Sequence, residues 1–446
     1  MKKILLIGAG KSSIYLIDYL LNHAVADNFE LIVADLNCES ALLKTQQRPN
    51  SKAIAFDVNN VEERKKYISQ SDLVISMLPA FMHFPVAKDC VNLKKHLITA
   101  SYVSPEIRAL HTQAINNDVL LLNEIGLDPG IDHLSAMKVI HKIKADGGRL
   151  NSFKSYCGGL VAPESNDNPW GYKFSWNPRN VIVAGQSTAQ FMQNGQYKYL
   201  PYHRLFKSAE TINIEGLGAF DAYANRDSLS YKSVYGISDI KTMIRGTLRQ
   251  HLYCKAWHIF VSLGITDDSI KIDIPEKYTY ADFVSSFLPA NDKNILQNLC
   301  DFAGYLPHDE VIKMIEWTGI LGNEEIGLKH ASPAEILQKL LEKKWVLKPN
   351  DKDLIVMQHL FEFVNSNQET KKISSSLIVT GKDNIHTAMA KTVGLPMAMA
   401  ARKVINGEIK LRGVQIPIMA ELYEPILKEL AEHGIVFKEK EEEIVD

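Results

Sequence analysis

The segment KILLIGAGKSS at residues 3–13 decides the fold of this chain, because it leads from a short apolar run into a glycine turn. Residues 3–7 are typical of a buried parallel strand, and residues 14–21 carry apolar side chains at helical spacing. Gly8 allows a sharp reversal, and Gly10 allows the backbone to approach a pyrophosphate at the amino end of the helix. The pattern predicts a dinucleotide-binding turn, although an ordinary strand-to-helix turn shows the same glycines.

The residues after the turn bear on the identity of the dinucleotide. The third small residue of the fingerprint is Ser13 rather than Gly or Ala. A second strand, predicted at residues 30–34, ends at Asp35, where a carboxylate binds the adenosine ribose hydroxyls and repels a 2′-phosphate. No Lys or Arg follows Asp35 until Lys44. The sequence therefore favours NAD over NADP.

The strand and helix pattern then repeats along the first third of the chain. Further strands are predicted at residues 53–56, 73–76, 96–99 and 119–122, with helices at 61–69 and 84–92. This alternation predicts an α/β fold with a doubly wound sheet, whose ligand crevice lies beyond the carboxyl ends of the strands. The residues at those ends are Asp57, Leu78, Ser101, Tyr102, Leu127 and Asp128.

The segment from Asn123 to His133 combines a strand end, a turn and a helix start. Asp128-Pro129-Gly130 has turn chemistry, because Pro fixes φ and Gly supplies a positive φ. Asp132 is predicted to cap the following helix. Asp128 either only holds the turn or belongs to a binding site, and the sequence leaves both interpretations open.

The composition is that of a globular protein without a polyanion-binding surface. The 446 residues are 46% hydrophobic and 23% charged, with a net charge of −2, which argues against nucleic acid as a partner. No metal-ligand spacing and no hydrolase nucleophile motif occurs. Apolar residues 4–7 are too few for a signal peptide, and no apolar window is long enough to span a membrane. Five scattered cysteines fit a reducing compartment, so a cytoplasmic location is expected.

The middle of the chain has a different composition. Residues 155–176 are rich in Gly, Pro and aromatic side chains, which predicts strands joined by long ordered loops over a ligand cavity, or a dimerisation surface. Cys157 is either a small buried residue or part of a pocket. Downstream, Arg226, Arg245 and Arg249 suit carboxylate recognition, although each is as readily explained by a surface ion pair.

The last part of the chain offers little chemistry. Residues 268–362 are predicted to be mostly helical, with one helix expected over 351–364. A strand is predicted at residues 374–379, and a helix at 386–405 that is interrupted near Pro396. The charged residues 438–443 are expected to form a solvated end.

Taken together, these motifs resemble the saccharopine dehydrogenase family, in particular its glutamate-forming branch. The segments that carry the resemblance are residues 123–133, 155–159, 167–176, 225–228 and 245–249. The resemblance implies interconversion of saccharopine with L-glutamate and α-aminoadipate semialdehyde, by nicotinamide-dependent hydride transfer at a C–N bond. It also implies a homodimer, and a substrate that is a polycarboxylate amino acid.

The resemblance further implies three domains. The first is a variant Rossmann domain over residues 1–128, completed by 395–446. The second is a mixed α/β substrate and dimerisation domain over 129–245 with 365–394, and the third is a helical insertion over 246–364.

Site residues also follow from the resemblance. Cofactor-binding positions are Gly8, Gly10, Lys11, Ser12, Ser13, Asp35, Asp57, Leu78, Ala100, Leu127 and Ser175. Substrate-binding positions are Ser101, Tyr102, Asp128, Arg226, Thr247, Leu248 and Arg249. Family members that use NADP place an arginine just after the second strand, whereas this chain has Asp35-Leu36-Asn37, so NAD is the expected cofactor and NADP the alternative.

The predicted reaction requires proton transfer as well as hydride transfer. Candidates for general acid and base are Asp128 and Tyr102, with Cys157 as a third. Two alternatives stay open. One is a reductive coupling of an aldehyde with a diamine, of the carboxynorspermidine or homospermidine type. The other is a non-catalytic protein that senses dinucleotides.

Overall fold

The computed structural model describes residues 1–184 and 186–443, which divide into two compact units. The first unit is Met1–Gly148 with Leu377–Lys438, and the second is Arg149–Ser376 with the residues from Glu439 onward. No helix in the described ranges combines the length and the apolar character needed to cross a bilayer. The three predicted domain boundaries stay a prediction.

The first unit is built on a seven-stranded parallel sheet. Its strands are β1 (Lys2–Ile7), β2 (Phe29–Asp35), β3 (Ser51–Ala55), β4 (Leu73–Ser76), β5 (His96–Thr99), β6 (Leu120–Leu122) and β17 (Gly413–Gln415). Its helices are α1 (Ile14–Ala24), α2 (Cys38–Thr45), α3 (Val61–Ser69), α4 (His83–Asn92), α5 (Pro105–Ala109), α6 (His111–Asn116), α7 (Ile131–Ala145), α16 (Ala388–Ile405) and α17 (Ala420–Glu432).

The strand order β3-β2-β1-β4-β5-β6-β17 is that of a dinucleotide-binding fold with one added strand. The strands form because short apolar runs are buried on both faces, as in Ile4 to Ile7. The order reverses between β1 and β4, where such sheets open a crevice beyond the strand ends. The predicted α/β fold with a variant Rossmann sheet is confirmed.

The second unit contains a nine-stranded mixed sheet. Its strands are β7 (Arg149–Val161), β8 (Ala189–Gln193), β9 (Gln196–Leu200), β10 (Glu210–Ile214), β11 (Gly218–Ala224), β12 (Thr242–Gln250), β15 (Asp353–Val364), β16 (Thr370–Thr380) and β18 (Lys438–Glu443). The order is β10-β11-β12-β7-β15-β16-β18, with β8 beside β12 and β9 beside β8. A separate two-stranded sheet pairs β13 (Ile272–Asp273) with β14 (His330–Ala331).

The helices of the second unit surround an aromatic core. They are α8 (Pro178–Ile182), α9 (Tyr202–Leu205), α10 (Tyr231–Val234), α11 (Tyr253–Leu263), α12 (Tyr280–Ser285), α13 (Ile295–Ala303), α14 (Glu310–Trp317) and α15 (Pro333–Lys344). Trp170, Trp257 and Trp345 are fully buried and lie ring against ring. Burial of these large rings is a main source of stability for this unit.

Three elements differ from the sequence prediction. The segment expected as a helix over 351–364 is strand β15, which pairs along its length with β7. Most of β15 is buried, so the alternation that marks a half-exposed strand is missing from its sequence. Helix α16 runs through Pro396 without the predicted interruption. Residues 438–443 are exposed as expected, but they form strand β18.

Candidate active site

The glycine turn after β1 has the geometry that a dinucleotide requires. Gly8 has a φ of +103°, and a Cβ there would lie 3.1 Å from the carbonyl oxygen of Met77, so a side chain at this position would strain the turn. A Cβ at Gly10 would meet no described atom within 4 Å, which leaves the backbone approachable. Ser13 is buried and its hydroxyl donates to the carbonyl of Gly10 at 2.8 Å. Lys11 and Ser12 lie in the 3₁₀ turn before α1.

Charges of both signs lie beside this turn. The carboxylate of Asp35 accepts a hydrogen bond from the amide of Ala9 at 2.7 Å. The ammonium of Lys44 donates to the carbonyls of Ala9 and Gly10 and to the hydroxyl of Ser13. Burial lowers the pKa of Lys44 to about 8. The turn is therefore tied both to the end of β2 and to α2.

Asp57 and Leu78 follow two strands of the sheet, β3 and β4, that lie on either side of β1 and β2. Asp57 is exposed after β3, and its carboxylate accepts from the amide of Asn59 at 2.9 Å. Leu78 is half-buried and comes directly after Met77, the residue that contacts Gly8. Both positions lie at the carboxyl edge where the cofactor is predicted to bind.

The loops that follow β5 and β6 are joined by several hydrogen bonds. The amide of Glu124 donates to the carbonyl of Ser101 at 3.1 Å, and the amide of Val103 donates to the Glu124 carboxylate at 3.0 Å. The hydroxyl of Tyr102 donates to a carboxylate oxygen of Asp128 at 3.4 Å. The structure thus brings together three predicted site residues: Ser101, Tyr102 and Asp128.

The backbone of the second loop is fixed by close contacts. A Cβ at Gly126 would lie 2.8 Å from the Cβ of Ala100, which places the two predicted cofactor loops against each other, with Leu127 next in the chain. Gly130 has a φ of +150° and its Cβ would overlap the backbone of Gly126, so only glycine fits. Asp128 therefore lies in a loop whose backbone is closely packed.

A buried polar cluster lies at the two ends of the loop that carries Asp128. The carboxylate of Glu124 lies 2.9 Å from Nε2 of His133, and Asp132 lies 3.8 Å from Nδ1 of the same ring. All three side chains are at most 3% exposed. The prediction that Asp132 caps the helix is wrong, because α7 starts at Ile131 and the Asp132 side chain accepts instead from the amide of Gly130 at 2.6 Å.

Sequence reasoning missed His83, which lies at the start of α4 and is 1% exposed. Its Nδ1 lies 2.9 Å from the hydroxyl of Ser76, and its Nε2 lies 2.7 Å from the hydroxyl of Ser101. Burial lowers the pKa of His83 to about 4. No local motif marks this histidine, because its partners are 7 and 18 residues away along the chain.

In the second unit, strands β7 and β12 bring three predicted residues together. Cys157 pairs with Thr247 in the parallel register of these strands. A Cβ at Gly158 would lie 2.7 Å from the Cβ of Leu248, so the strands pack side by side at this level. Cys157 is 8% exposed. The structure therefore places Cys157 in a buried, tightly packed position.

Arg249 is a buried cation surrounded by phenol rings. Its guanidinium lies 5.3 Å from the ring of Tyr172, 5.5 Å from that of Tyr253 and 6.0 Å from that of Tyr223. Burial raises the pKa of each of these tyrosines, so they stay neutral and do not balance the charge. Nη1 donates to the carbonyl of Leu248 at 3.0 Å, whereas Nε has no partner among the described residues.

The other arginines occupy different environments. Strands β11 and β12 pair antiparallel, with Arg249 opposite Asp221 and Gly246 opposite Ala224. Arg226 follows the end of β11, so it lies at the opposite end of this strand pair from Arg249. Arg226 is exposed and has a φ of +36°. Arg245 is buried with its guanidinium 4.3 Å from the ring of Tyr231.

Ser175 lies in a loop held by a buried lysine. Ser175 is 3% exposed and follows Lys173, whose ammonium lies 2.8 Å from Asp167 and 2.7 Å from Asp351. These ion pairs fix the loop that also carries Tyr172. Among the described residues no group of histidine, cysteine and carboxylate side chains has the arrangement of a metal site, and the five cysteines are free thiols.

Two family models match the chain along most of its length. The model described as Saccharopine dehydrogenase NADP binding domain matches residues 4–122. The model described as Saccharopine dehydrogenase C-terminal domain matches residues 126–435.

Two similar proteins cover nearly the whole chain. Saccharopine dehydrogenase [NADP(+), L-glutamate-forming] from Pyricularia oryzae is 35% identical over 98% of this chain and 99% of its own length. The protein of the same name from Saccharomyces cerevisiae is 33% identical over 98% and 99% of the two chains. These names point to NADP. They do not support NAD as the main cofactor, which we predicted from Asp35.

Solved structures show the same fold. A saccharopine dehydrogenase (L-Glu forming) from Saccharomyces cerevisiae is 33% identical and superposes with a TM-score of 0.88 over 99% of this chain and 100% of its own. A homospermidine synthase from Legionella pneumophila is 9% identical, with a TM-score of 0.57 over 98% and 91% of the two chains, and shares the fold alone.

Proposed function

This chain belongs to the saccharopine dehydrogenase family, and from that premise we propose that it interconverts saccharopine with L-glutamate and α-aminoadipate semialdehyde. The resemblance predicted from the sequence is confirmed by the two family models. The observation that carries the proposal is the match over nearly the whole chain to enzymes named for the glutamate-forming reaction. The diamine alternative rests on a likeness of fold alone.

The residues of the first unit fit a nicotinamide dinucleotide. The glycine turn leaves open space over Gly10 at the start of a helix, where backbone amides favour a pyrophosphate. Gly8 to Ser13, Asp35, Asp57, Leu78, Ala100 and Leu127 are the positions in this unit assigned to the cofactor. When bound, the cofactor supplies the acceptor or donor of the hydride.

The residues of the chain then have separate tasks. Asp128 and Tyr102 exchange the proton of the secondary amine of saccharopine, since their side chains already share a hydrogen bond. Arg249 binds a substrate carboxylate, because among the described residues its buried guanidinium has an unpaired Nε and no balancing charge, which favours an anionic ligand. Arg226, exposed after β11, is assigned a different carboxylate of the same substrate. Ser101, Thr247 and Leu248 complete the assigned substrate contacts.

The overall reaction balances with water as the co-substrate. Loss of a hydride and a proton from the C–N unit of saccharopine gives an imine, and addition of water cleaves it into L-glutamate and the semialdehyde. The reverse direction condenses the two products and reduces the imine. The buried thiol of Cys157 is assigned a packing role rather than proton transfer, because it lies between strands at 8% exposure.

A finer proposal concerns the choice of cofactor. The names of the relatives support NADP, whereas Asp35 supports NAD, because its carboxylate lies at the end of β2 against the Ala9 amide. Lys44 lies near enough to offset part of this charge, as its ammonium contacts the same turn. On the strength of Asp35, we expect this chain to use NAD in preference to NADP.

The experiment that tests the function is an absorbance assay of the reduced nicotinamide band. The purified protein is mixed with saccharopine and either NAD or NADP, and L-glutamate is measured as product. Turnover with saccharopine, and none with homospermidine or carboxynorspermidine, is the expected result. Turnover with NADP alone overturns the cofactor proposal, and no turnover with either cofactor overturns the proposed reaction.

Two further proposals concern the state of the protein. A cytoplasmic location is supported by five free thiols in the described structure, which suit a reducing compartment. A homodimer is proposed from the family resemblance, and sedimentation equilibrium tests it. A mass of one chain at micromolar concentration would contradict the dimer, and fractionation of cells tests the location.

A further inference from the structure

We propose that His83 is a positioning residue, whose neutral imidazole turns the hydroxyl hydrogen of Ser101 outward to donate to a carboxylate of the substrate. The inference rests on the proposed function, because it takes Ser101 as a contact of an anionic substrate. It adds a residue that neither the sequence motifs nor the assigned site positions include.

His83 connects three sites at the carboxyl edge of the sheet. Its ring reaches Ser76, the last residue of β4, at 2.9 Å and Thr99, the last residue of β5, at 3.2 Å. It also reaches Ser101 in the loop after β5, at 2.7 Å. One side chain therefore holds two strand ends and a predicted substrate contact in a fixed relation.

The protonation state of the ring follows from its surroundings. His83 is 1% exposed, and its three ring partners are uncharged hydroxyls, so no neighbouring carboxylate in this hydrogen-bonded group favours the imidazolium. The pKa of His83, lowered by burial to about 4, agrees with a neutral ring at ordinary pH. A neutral imidazole has one N–H donor and one lone pair, so one ring nitrogen donates and the other accepts.

In the proposed tautomer, Nε2 carries the proton. Two hydroxyl oxygens, those of Ser101 and Thr99, face Nε2, and one N–H can be shared between two oxygens. The single hydroxyl of Ser76 then donates to the lone pair on Nδ1. In this arrangement the Ser101 oxygen accepts from Nε2–H, and its own hydrogen is left for a ligand.

This arrangement suits an anionic substrate. A hydroxyl that donated to His83 would present only lone pairs and would repel a carboxylate, whereas the proposed tautomer makes Ser101 a donor. The backbone at Ser101 is also fixed, because its carbonyl accepts from the amide of Glu124 at 3.1 Å. The direction of the Ser101 hydroxyl hydrogen is then the main variable of the contact with the substrate, and the hydrogen bond from His83 fixes this direction.

A double-mutant cycle with Ser101 tests the proposal. Ser101→Ala and His83→Phe are each expected to raise KM for saccharopine about tenfold, while KM for the cofactor stays within about twofold. The double variant is expected to show no further rise, because both changes remove the same donor. A His83→Phe variant with the wild-type KM, or a double variant whose losses multiply, overturns the proposal.

Two further variants separate positioning from stability. His83→Gln retains an N–H donor and is expected to recover most of the KM that His83→Phe loses. His96→Phe is the matched control, since His96 begins β5 at the opposite edge of the sheet and accepts from the amide of Leu120 at 3.0 Å. His96→Phe is expected to lower the melting temperature without raising KM, and an equal rise in KM for both histidine variants overturns the proposal.

A measurement on the unaltered protein keeps the proposal testable if His83→Phe does not fold. Nitrogen-15 NMR with labelled histidine, with the His83 signals identified through His83→Gln, reports which ring nitrogen carries the proton. A neutral ring protonated on Nε2 is expected, and a ring protonated on Nδ1 overturns the proposal. Because this readout needs no turnover, failure of the saccharopine reaction and failure of the His83 role are distinguished.

Discussion

The carboxylate of Asp35 accepts a hydrogen bond from the amide of Ala9 at 2.7 Å, which joins the end of β2 to the glycine turn after β1. Replacing this carboxylate by an amide keeps its shape and removes its charge. Asp35→Asn is therefore expected to raise kcat/KM for NADP relative to NAD by about tenfold, the effect of ~1.4 kcal/mol of charge repulsion. Steady-state kinetics with both cofactors measures the ratio.

The control for this change is Asp72→Asn. The Asp72 carboxylate also accepts from a backbone amide, that of Lys3 at 2.7 Å, but it lies at the amino edge of the sheet. Asp72→Asn should leave the cofactor ratio unchanged. An equal shift in both variants would show that general surface charge, and not the position of Asp35, sets the preference.

The carboxylate of Asp128 lies 3.4 Å from the hydroxyl of Tyr102, in a loop whose backbone is closely packed at Gly126 and Gly130. If Asp128 transfers the amine proton, Asp128→Asn lowers kcat by about a hundredfold or more, while the dissociation constant of the cofactor stays nearly constant. Single-turnover kinetics and fluorescence titration measure the two quantities. An equal loss in both would reduce Asp128 to a structural role.

The first unit was predictable because its strands are short, continuous apolar runs, each followed by turn chemistry. Residues 73–76 and 96–99 match β4 and β5 to the residue. Strand β15 was misread as a helix, since it is buried on both faces by neighbours that are far away in sequence.

In the candidate site too, contacts between residues that are distant in sequence could not be predicted. Motifs identified Ser101 and Asp128, whose neighbours in sequence carry the signal. The ring of His83 contacts the hydroxyls of Ser76 and Ser101, which only the folding of two strands brings together. Arg249 was predicted as a carboxylate contact, but its cage of three tyrosines comes from separate elements and has no signature in the sequence.

Lys173 is 1% exposed and lies between Asp167 and Asp351, so its removal leaves the partly buried Asp351 carboxylate without its ion-pair partner and with the amide of Lys348 as a remaining donor. Lys173→Met is expected to lower the free energy of unfolding by about 3 kcal/mol. Lys348→Met is the control, because Lys348 also contacts Asp167 but is exposed, so its loss should lower the free energy of unfolding much less than the loss of Lys173. Urea denaturation measures both, and equal losses would contradict a special role for the buried lysine.

The same ion pair predicts a dependence of stability on pH. Hydrogen bonds from Lys173, and then from Lys348, lower the pKa of Asp167 to about 2, from 3.8 in the unfolded chain. A lowered carboxyl pKa stabilises the fold above the unfolded value, and this contribution is lost as pH falls toward the folded value. Unfolding of the wild type should become easier between pH 4 and pH 2, and Lys173→Met should show a weaker dependence over that range.

Arg249 is a buried charge that we propose to bind a substrate carboxylate, so its effects on stability and on substrate binding should separate on substitution. Arg249→Met is expected to leave the melting temperature unchanged or higher, because an apolar side chain replaces a buried charge that has no counter-ion within residues 1–184 and 186–443. It should raise KM for saccharopine about tenfold to a hundredfold, since a hydrogen bond to a charged group contributes ~1.5–3 kcal/mol. The control is Arg64→Met, because Arg64 is buried with a counter-ion, Asp89, at 2.7 Å. Arg64→Met should lower stability by about 3 kcal/mol or more without changing KM, and an Arg249 variant that unfolds like it would show that Arg249 is structural.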